Sequence, residues 1–147
     1  MFELGNDGPS VIVAGIDGSR SSLRASAYAS GLARRQGALL VFVYAKSYPM
    51  GMTVATAVLA TTDAEDQLAE DLRQEIVRAV GRDPDHSPRW EFRTVVGDPY
   101  RALANTAEEL HADAVVIGTS EQAGHRILGS VAVRLVKAGR WPVTVVP

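Results

Sequence analysis

The residues best placed to do chemistry are Gly118, Thr119 and Ser120, Gly129 and Ser130, and Asp17 at the end of an earlier apolar run. Val115-Val116-Ile117 has strand character and ends in Gly118; a short polar loop follows, and Gly129-Ser130 opens an amphipathic segment. A strand–loop–helix unit of this kind brings backbone N–H groups and a helix N-terminus to one spot. The unpaired donors of the first turn and the positive end of the helix dipole attract anions there, phosphate above all. The helix pattern supports the reading: Ser130 is in place to cap it, Val131, Leu135 and Val136 (with Ala132 and Ala138) form a stripe, Lys137 sits near the end and Gly139 fits the residue just past it. The same pattern is also that of a plain βα turn in any α/β protein.

Other chemistries fit less well. Asp17 with Asp98 would suggest an acidic phosphoacceptor, but that chemistry wants an acidic cluster and a lysine after the last strand. Asp98 is better explained as a helix cap, and no lysine follows Val143. Without a Gly-x-Ser-x-Gly elbow, Ser120 and Ser130 read as loop and cap residues rather than nucleophiles. There is no His-x-x-x-His and no cysteine pair, so no metal ligand set is expected. His86 and His111 fall in or beside loops, and His125 alone lies near the phosphate-type loop. Gly15-Ile16-Asp17-Gly18-Ser19 lacks the lysine with which a P-loop clamps phosphate. With no base, metal cluster or positioned water in view, efficient phosphoryl transfer or hydrolysis has no machinery, and no catalytic residue is assigned.

These residues need a scaffold, and the hydrophobic pattern supplies one. Val11-Ile12-Val13-Ala14-Gly15-Ile16 and Leu39-Leu40-Val41-Phe42-Val43-Tyr44 are continuous apolar runs, as in strands buried on both faces. Between them, residues 21–36 read as a helix with Leu23, Ala27, Gly31 and Leu32 near one face, closed by Arg34 and Arg35 and stopped by Gly37. Residues 45–62 form a long connection, of a length often functional or mobile. Thr62 or Asp63 caps a helix to about Val80, with Leu68, Leu72, Ile76 and Val80 spaced by four. Trp90 to Val96 is a more exposed strand. Asp98-Pro99 then starts a helix with inner residues Leu103, Thr106, Ala107 and Leu110. Asp113 leads the fourth strand, to Ile117, and Trp141-Pro142-Val143-Thr144-Val145-Val146 is the fifth, with Pro142 at its first position. Alternating units of this length give a parallel sheet with helices on both faces, and ligands of such sheets bind beyond the carboxyl ends of the strands at the switch in strand order. Those ends carry Asp17, Val43-Tyr44, Gly97-Asp98 and Gly118-Thr119-Ser120.

The totals are those of one domain, residues 1–147, with a loose tail at 1–9. Hydrophobic residues make up 46% and charged residues 22%, enough apolar material for a core. A net charge of −2 offers nothing to nucleic acid or anionic lipid. The absence of cysteine and of a signal-peptide pattern fits a cytoplasmic protein, and no apolar run approaches the ~20 residues of a membrane span.

Five motifs in order resemble the universal stress protein family: Val-Ala-Gly-Ile-Asp17-Gly-Ser-x-x-Ser, Val-Val-Gly97-Asp-Pro, Ala-Asp113-Ala-Val-Val-Ile-Gly118-Thr-Ser, Leu128-Gly129-Ser130-Val131-Ala-Val and Trp141-Pro-Val-Thr-Val-Val. The resemblance runs from Val11 to Val146. It implies a three-layer sandwich with a five-stranded parallel sheet, a Rossmann-like adenine nucleotide-binding fold, and a homodimer. It also implies an adenosine site at Asp17 and Val43, with Gly15 nearby. The phosphate motif would place its first glycine at Gly118, flanked by Ile117 and Thr119, and its last residues at Gly129 and Ser130, with the Val131 amide as donor. ATP, with Mg²⁺, is the ligand so implied.

Two departures fall in the phosphate loop. The family's second glycine is Glu121 here, and seven residues rather than nine separate it from Gly129. A non-glycine residue at positive φ costs about 1–2 kcal/mol. A carboxylate ~4 Å from phosphate adds about 1 kcal/mol of repulsion in water and about 4 near a protein surface. Together these are worth about two to four orders of magnitude in affinity if nothing relaxes. A bridging Mg²⁺ would make Glu121 an asset; alternatively the loop re-registers so that Gly124 takes the missing glycine's place, with His125 and Arg126 as nearby cations. Two functions therefore stand side by side: a nucleotide-binding regulatory module without efficient catalysis, and a nucleotide-independent dimeric stress-response protein. In both, Val143-Thr144-Val145-Val146 is an uncharged edge able to pair with a second copy.

Overall fold

The computed structural model describes residues 8–47, 51–53, 55–56, 63–120 and 128–147. Among these residues, strands and helices alternate as β1 (Val11–Gly15), α1 (Arg20–Gln36), β2 (Leu39–Lys46), α2 (Asp63–Arg82), β3 (Arg89–Val96), α3 (Pro99–Glu109), β4 (Ala114–Gly118), α4 (Ser130–Ala138) and β5 (Val143–Val146), with a 3₁₀ turn at Pro84–His86. All strand pairs are parallel and the order is β3-β2-β1-β4-β5. β1 is central, and the order reverses between β1 and β4. The register sets Gly15 beside Val43 and Gly118 beside Val146, so the carboxyl ends finish in one row.

Alternation splits the core in two. Ile12, Ala14, Phe42 and Val116 point toward α1 and α2, while Val13, Val41, Val115 and Ile117 point toward α3 and α4. This is the doubly covered sheet that continuous apolar runs require. The strand ends shift slightly from the sequence reading. β2 extends through Ala45 and Lys46, which shortens the expected 45–62 connection, and β5 begins at Val143, after Pro142. Residues 48–50, 54 and 57–62 of that connection lie outside the described residues, as do residues 1–7 of the tail.

Three helix faces differ from expectation. α1 buries Ser21, Ser22, Ala25, Ser26, Ala29 and Ala33 rather than Leu23, Ala27 and Gly31. Small side chains let this helix lie close on the sheet, and four of its buried residues are alanine or serine at full burial or nearly so. α2 buries Ala69, Leu72 and Ile76, whereas Leu68 is 41% exposed. α4 buries Ala132 and Leu135 and leaves Val136 53% exposed. The bulky residues that seemed to mark inner stripes thus lie partly on solvent faces. Asp98 does cap α3, accepting from the Arg101 amide at 3.0 Å, with Pro99 in the first turn. Arg134 of α4 grips the same carboxylate at 3.0 and 3.1 Å, and its guanidinium lies 4.2 Å from the Tyr100 ring centre, which ties α4 to the start of α3.

Candidate functional site

A hollow of about 280 Å³ opens beyond the carboxyl ends of β1, β2 and β4, at the point where the strand order reverses. Gly15, Asp17 and Val43 line it on one side. Ile117, Gly118, Thr119, Gly129, Ser130 and Val131 line it on the other. All nine expected site residues therefore border one space. The sequence reading missed Ser19, Ser21, Ser22, Ala45, Pro99 and Leu103, which border it too. Only Ser19, Ser21 and Ser22 carried a signal, as hydroxyls in the turn after Asp17.

Gly118 is there because no larger residue fits, and Gly129 stands close against Ser120. A Cβ on Gly118 would fall 2.5 Å from the Ser21 carbonyl carbon and 2.7 Å from the Ser22 nitrogen, so glycine alone lets β4 meet the first turn of α1. One on Gly129 would reach 3.0 Å from Ser120 Cβ. The β1–α1 turn is held from within. Gly18 takes φ +84°, and the Ser19 amide donates to Asp17 Oδ1 at 2.9 Å, an Asx turn. Ser19 Oγ accepts from the Ser22 amide at 3.2 Å, which caps α1. Ser21 Oγ donates to the Thr119 carbonyl at 2.6 Å and so joins this turn to the end of β4.

Asp17 is the one charged side chain among the described residues bordering the hollow. Its partial burial pushes the carboxyl pKa up. Hydrogen bonds from the Ser19 side chain and backbone, and from Ser22, together outweigh that, so the group is held below its ordinary value and is ionised at neutral pH. Tyr44, at the end of β2, is raised by burial first, then by the Glu65 and Asp17 carboxylates.

The opposite wall is the start of α4, and here the expected cap is corrected. Gly129, not Ser130, is the N-cap (φ −63°, ψ 160°), and Ser130 is the first helical residue. Gly129 has no side chain to give, whereas α1 and α3 are capped by Ser19 and Asp98. An α-helix leaves its first amides without intrahelical partners, so Ser130 and Val131 present theirs at the edge of the hollow. Thr119 contributes less than expected: its amide donates to the Val146 carbonyl at 2.9 Å and is already used. Glu121, Gly124, His125 and Arg126 lie outside the described residues. Among the described residues no group of three or more His, Asp or Glu could hold a metal, and no helix is long and apolar enough to cross a membrane.

A parallel α/β sheet with a carboxylate, an apolar slot and a helix start whose N-cap residue is a glycine around its switch point defines a protein of the Rossmann-like α/β fold class. More narrowly, the chain belongs to the universal stress protein family, whose model matches residues 10–147. It is similar to universal stress protein UspA from Lactobacillus plantarum (20% identity, TM-score 0.77, covering 94% of this chain and 97% of that one). It is similar also to a universal stress protein solved in complex with cAMP (28% identity, TM-score 0.70, 95% and 97% covered). A third similar structure is the Archaeoglobus fulgidus universal stress protein in complex with dAMP (24% identity, TM-score 0.66, 94% and 98% covered). Comparison with curated protein sequences finds no match.

Proposed function

We propose that this chain is a single-domain regulatory module that binds an adenine nucleotide, ATP in the first instance, without efficient catalysis, and that it works in the cytoplasm as a homodimer. The observation that carries this reading is the pairing, across one hollow, of the ionised Asp17 with the side-chain-free start of α4. The base and ribose belong on the apolar side, against Val43, Ala45 and Leu103, where Asp17 accepts hydrogen bonds from the ligand's N–H or O–H groups. The phosphates belong at the Ser130 and Val131 amides, where the helix dipole adds to the hydrogen bonds. Gly15 borders the slot, and a Cβ there would sit 3.3 Å from the Ile117 side chain and in ordinary contact with Leu103. The cAMP complex of the relative at 28% identity supports an adenine nucleotide as the ligand class. A Mg²⁺ ion, where present, would come with the phosphates and offset the charge of Glu121.

Calorimetric titration of the full chain with Mg-ATP tests this. Saturable heat is expected, and none at millimolar nucleotide from a folded sample would refute it. The second reading, a nucleotide-independent dimeric protein, draws on the edges of the sheet. β3 carries Arg89, Glu91 and Arg93, charges that discourage pairing, while Val143–Val146 carries none. Glu121→Gly separates the two readings. Tighter ATP binding would mark Glu121 as an obstacle, weaker binding would mark it as a ligand of bridging Mg²⁺, and no binding in either form would leave the dimer alone.

A further inference from the structure

An ion pair outside the hollow joins its two walls. Pro99 and Leu103, on successive turns of α3, border the apolar side, while Ser130 and Val131 border the other. Asp98, just before Pro99, caps α3 through Oδ2, which accepts from the Arg101 amide at 3.0 Å. The same carboxylate accepts from Arg134 Nη1, at 3.0 Å on Oδ1 and 3.1 Å on Oδ2. The Arg134 guanidinium also lies 4.2 Å from the centre of the Tyr100 ring, so its charge and its planar face are both engaged. Arg134 stands four residues after Ser130 on the same face of α4, and long helical side chains lean back toward the N-terminus. The clasp therefore holds α4 near its first turn, the turn whose amides border the hollow.

The two helices differ in how they are fixed without it. α3 has its own cap, and Gly97 before it donates its amide to the Lys46 carbonyl at 2.9 Å. α4 begins at a glycine with no cap side chain, and it buries Ala132 and Leu135 against the sheet. Apolar burial is non-directional, so it seats a helix without fixing its rotation or its slide. Charge-assisted hydrogen bonds are directional and fix both. Position thus passes from α3 to α4, and the apolar wall sets where the amides stand. The pair adds little to folding, because the side chains are 44% (Arg134) and 38% (Asp98) exposed.

We propose that Arg134 is the positioning residue of the phosphate wall: by holding Asp98 and Tyr100 it sets the Ser130 and Val131 amides at one separation from the adenosine wall. This rests on the reading of the hollow as an adenine nucleotide site. The guanidinium acts through Asp98 and is not itself a phosphate ligand. Its loss leaves each wall intact and spoils their spacing. A nucleoside, which uses one wall, does not feel the change; a nucleotide, which must reach both, does.

Calorimetric titration of the full chain with Mg-ATP and, separately, with adenosine tests this in Arg134→Gln, Arg134→Lys, Asp98→Asn and the Asp98→Asn/Arg134→Gln double variant. Asparagine keeps a side-chain oxygen for the α3 cap and removes the charge that Arg134 holds. Arg134→Gln and Asp98→Asn should each weaken Mg-ATP about tenfold, and the double variant should be no weaker than either, as for residues that act through one contact. Adenosine affinity and melting temperature should stay near the wild type. Lysine keeps the charge but has no planar fork to grip and stack, so Arg134→Lys should recover little of the loss. ATP affinity unchanged in folded Arg134→Gln, ATP and adenosine weakened alike, or single losses that add up in the double variant would each overturn the proposal. So would tighter ATP binding by Asp98→Asn, which would mean that the freed guanidinium binds phosphate itself. A wild type that binds no ATP would remove the nucleotide site and this proposal with it, whereas the other outcomes, in a chain that binds ATP, count against the proposal alone.

Discussion

Replacing Gly118 by alanine probes the contact that brings the two walls of the candidate site together. The added methyl would meet Ser21 C, Ser22 N and Ser21 O at 2.5, 2.7 and 2.8 Å. These are backbone atoms of a first helical turn, and Ser21 itself is 1% exposed and bonded to the Thr119 carbonyl, so they cannot swing aside as a side-chain tip would. α1 or the end of β4 has to move. Overpacking of this kind costs about 1–3 kcal/mol. At about 2–4 °C per kcal/mol for a domain of this size, the melting temperature should fall by roughly 2–12 °C in calorimetry or circular dichroism. Gly81→Ala is the matched control: it sits inside α2 with nothing within 4 Å, and alanine there should stabilise by up to about 1 kcal/mol. A Gly118→Ala protein that melts within a degree of the wild type would refute the close approach of β4 to α1.

Three further outcomes are expected. Asp17→Asn keeps the shape of the turn and removes its charge. Because hydrogen bonds hold the folded pKa of Asp17 below its ordinary 3.8, the stability it adds is fully present above pH 3.8 and is lost as pH falls through the lower folded value. Urea midpoints of wild type and variant should therefore differ at pH 6 and converge in acid; a gap that widens in acid would contradict the shift. Val145→Pro tests the dimer. The Pro142 and Val146 carbonyls face β4, so alternation turns the Val145 N–H to the open edge, and removing it should halve the sedimenting mass without unfolding the sheet. An unchanged mass would contradict pairing through β5. Asp98→Ala, which removes the α3 cap and the Arg134 anchor together, should cost about 1–2 kcal/mol in denaturant unfolding, and a cost near zero would refute the anchor.

The strands were legible because continuous apolar runs such as Val11–Gly15 have little else to become in a chain of this length. Asp98-Pro99 and Gly37 were legible because cap chemistry is local; Gly37 takes φ +66° as a C-cap must. The inner face of α1 was not. Bulk marks a buried face only where helix and sheet stand apart, and here alanine and serine make the contact while Leu23 lies to one side. Ser130 misled for a related reason: Gly129 takes the extended cap conformation, which moves the serine into the helix and leaves the cap position without a side chain. The engagement of the Thr119 amide by β5 depends on strand order, which no local pattern encodes.

The central claim is that the first amides of α4 hold phosphate. Ser130→Pro removes one of them and nothing from the ladder of the helix, since proline suits a first helical position and Gly129 is already extended before it. Titrated with Mg-ATP beside Ser130→Ala, which keeps the amide, the proline variant should keep its helix content and bind about 10- to 150-fold more weakly, the worth of one hydrogen bond to a charged group at about 1.5–3 kcal/mol. Equal affinities for the proline and alanine variants would contradict the account.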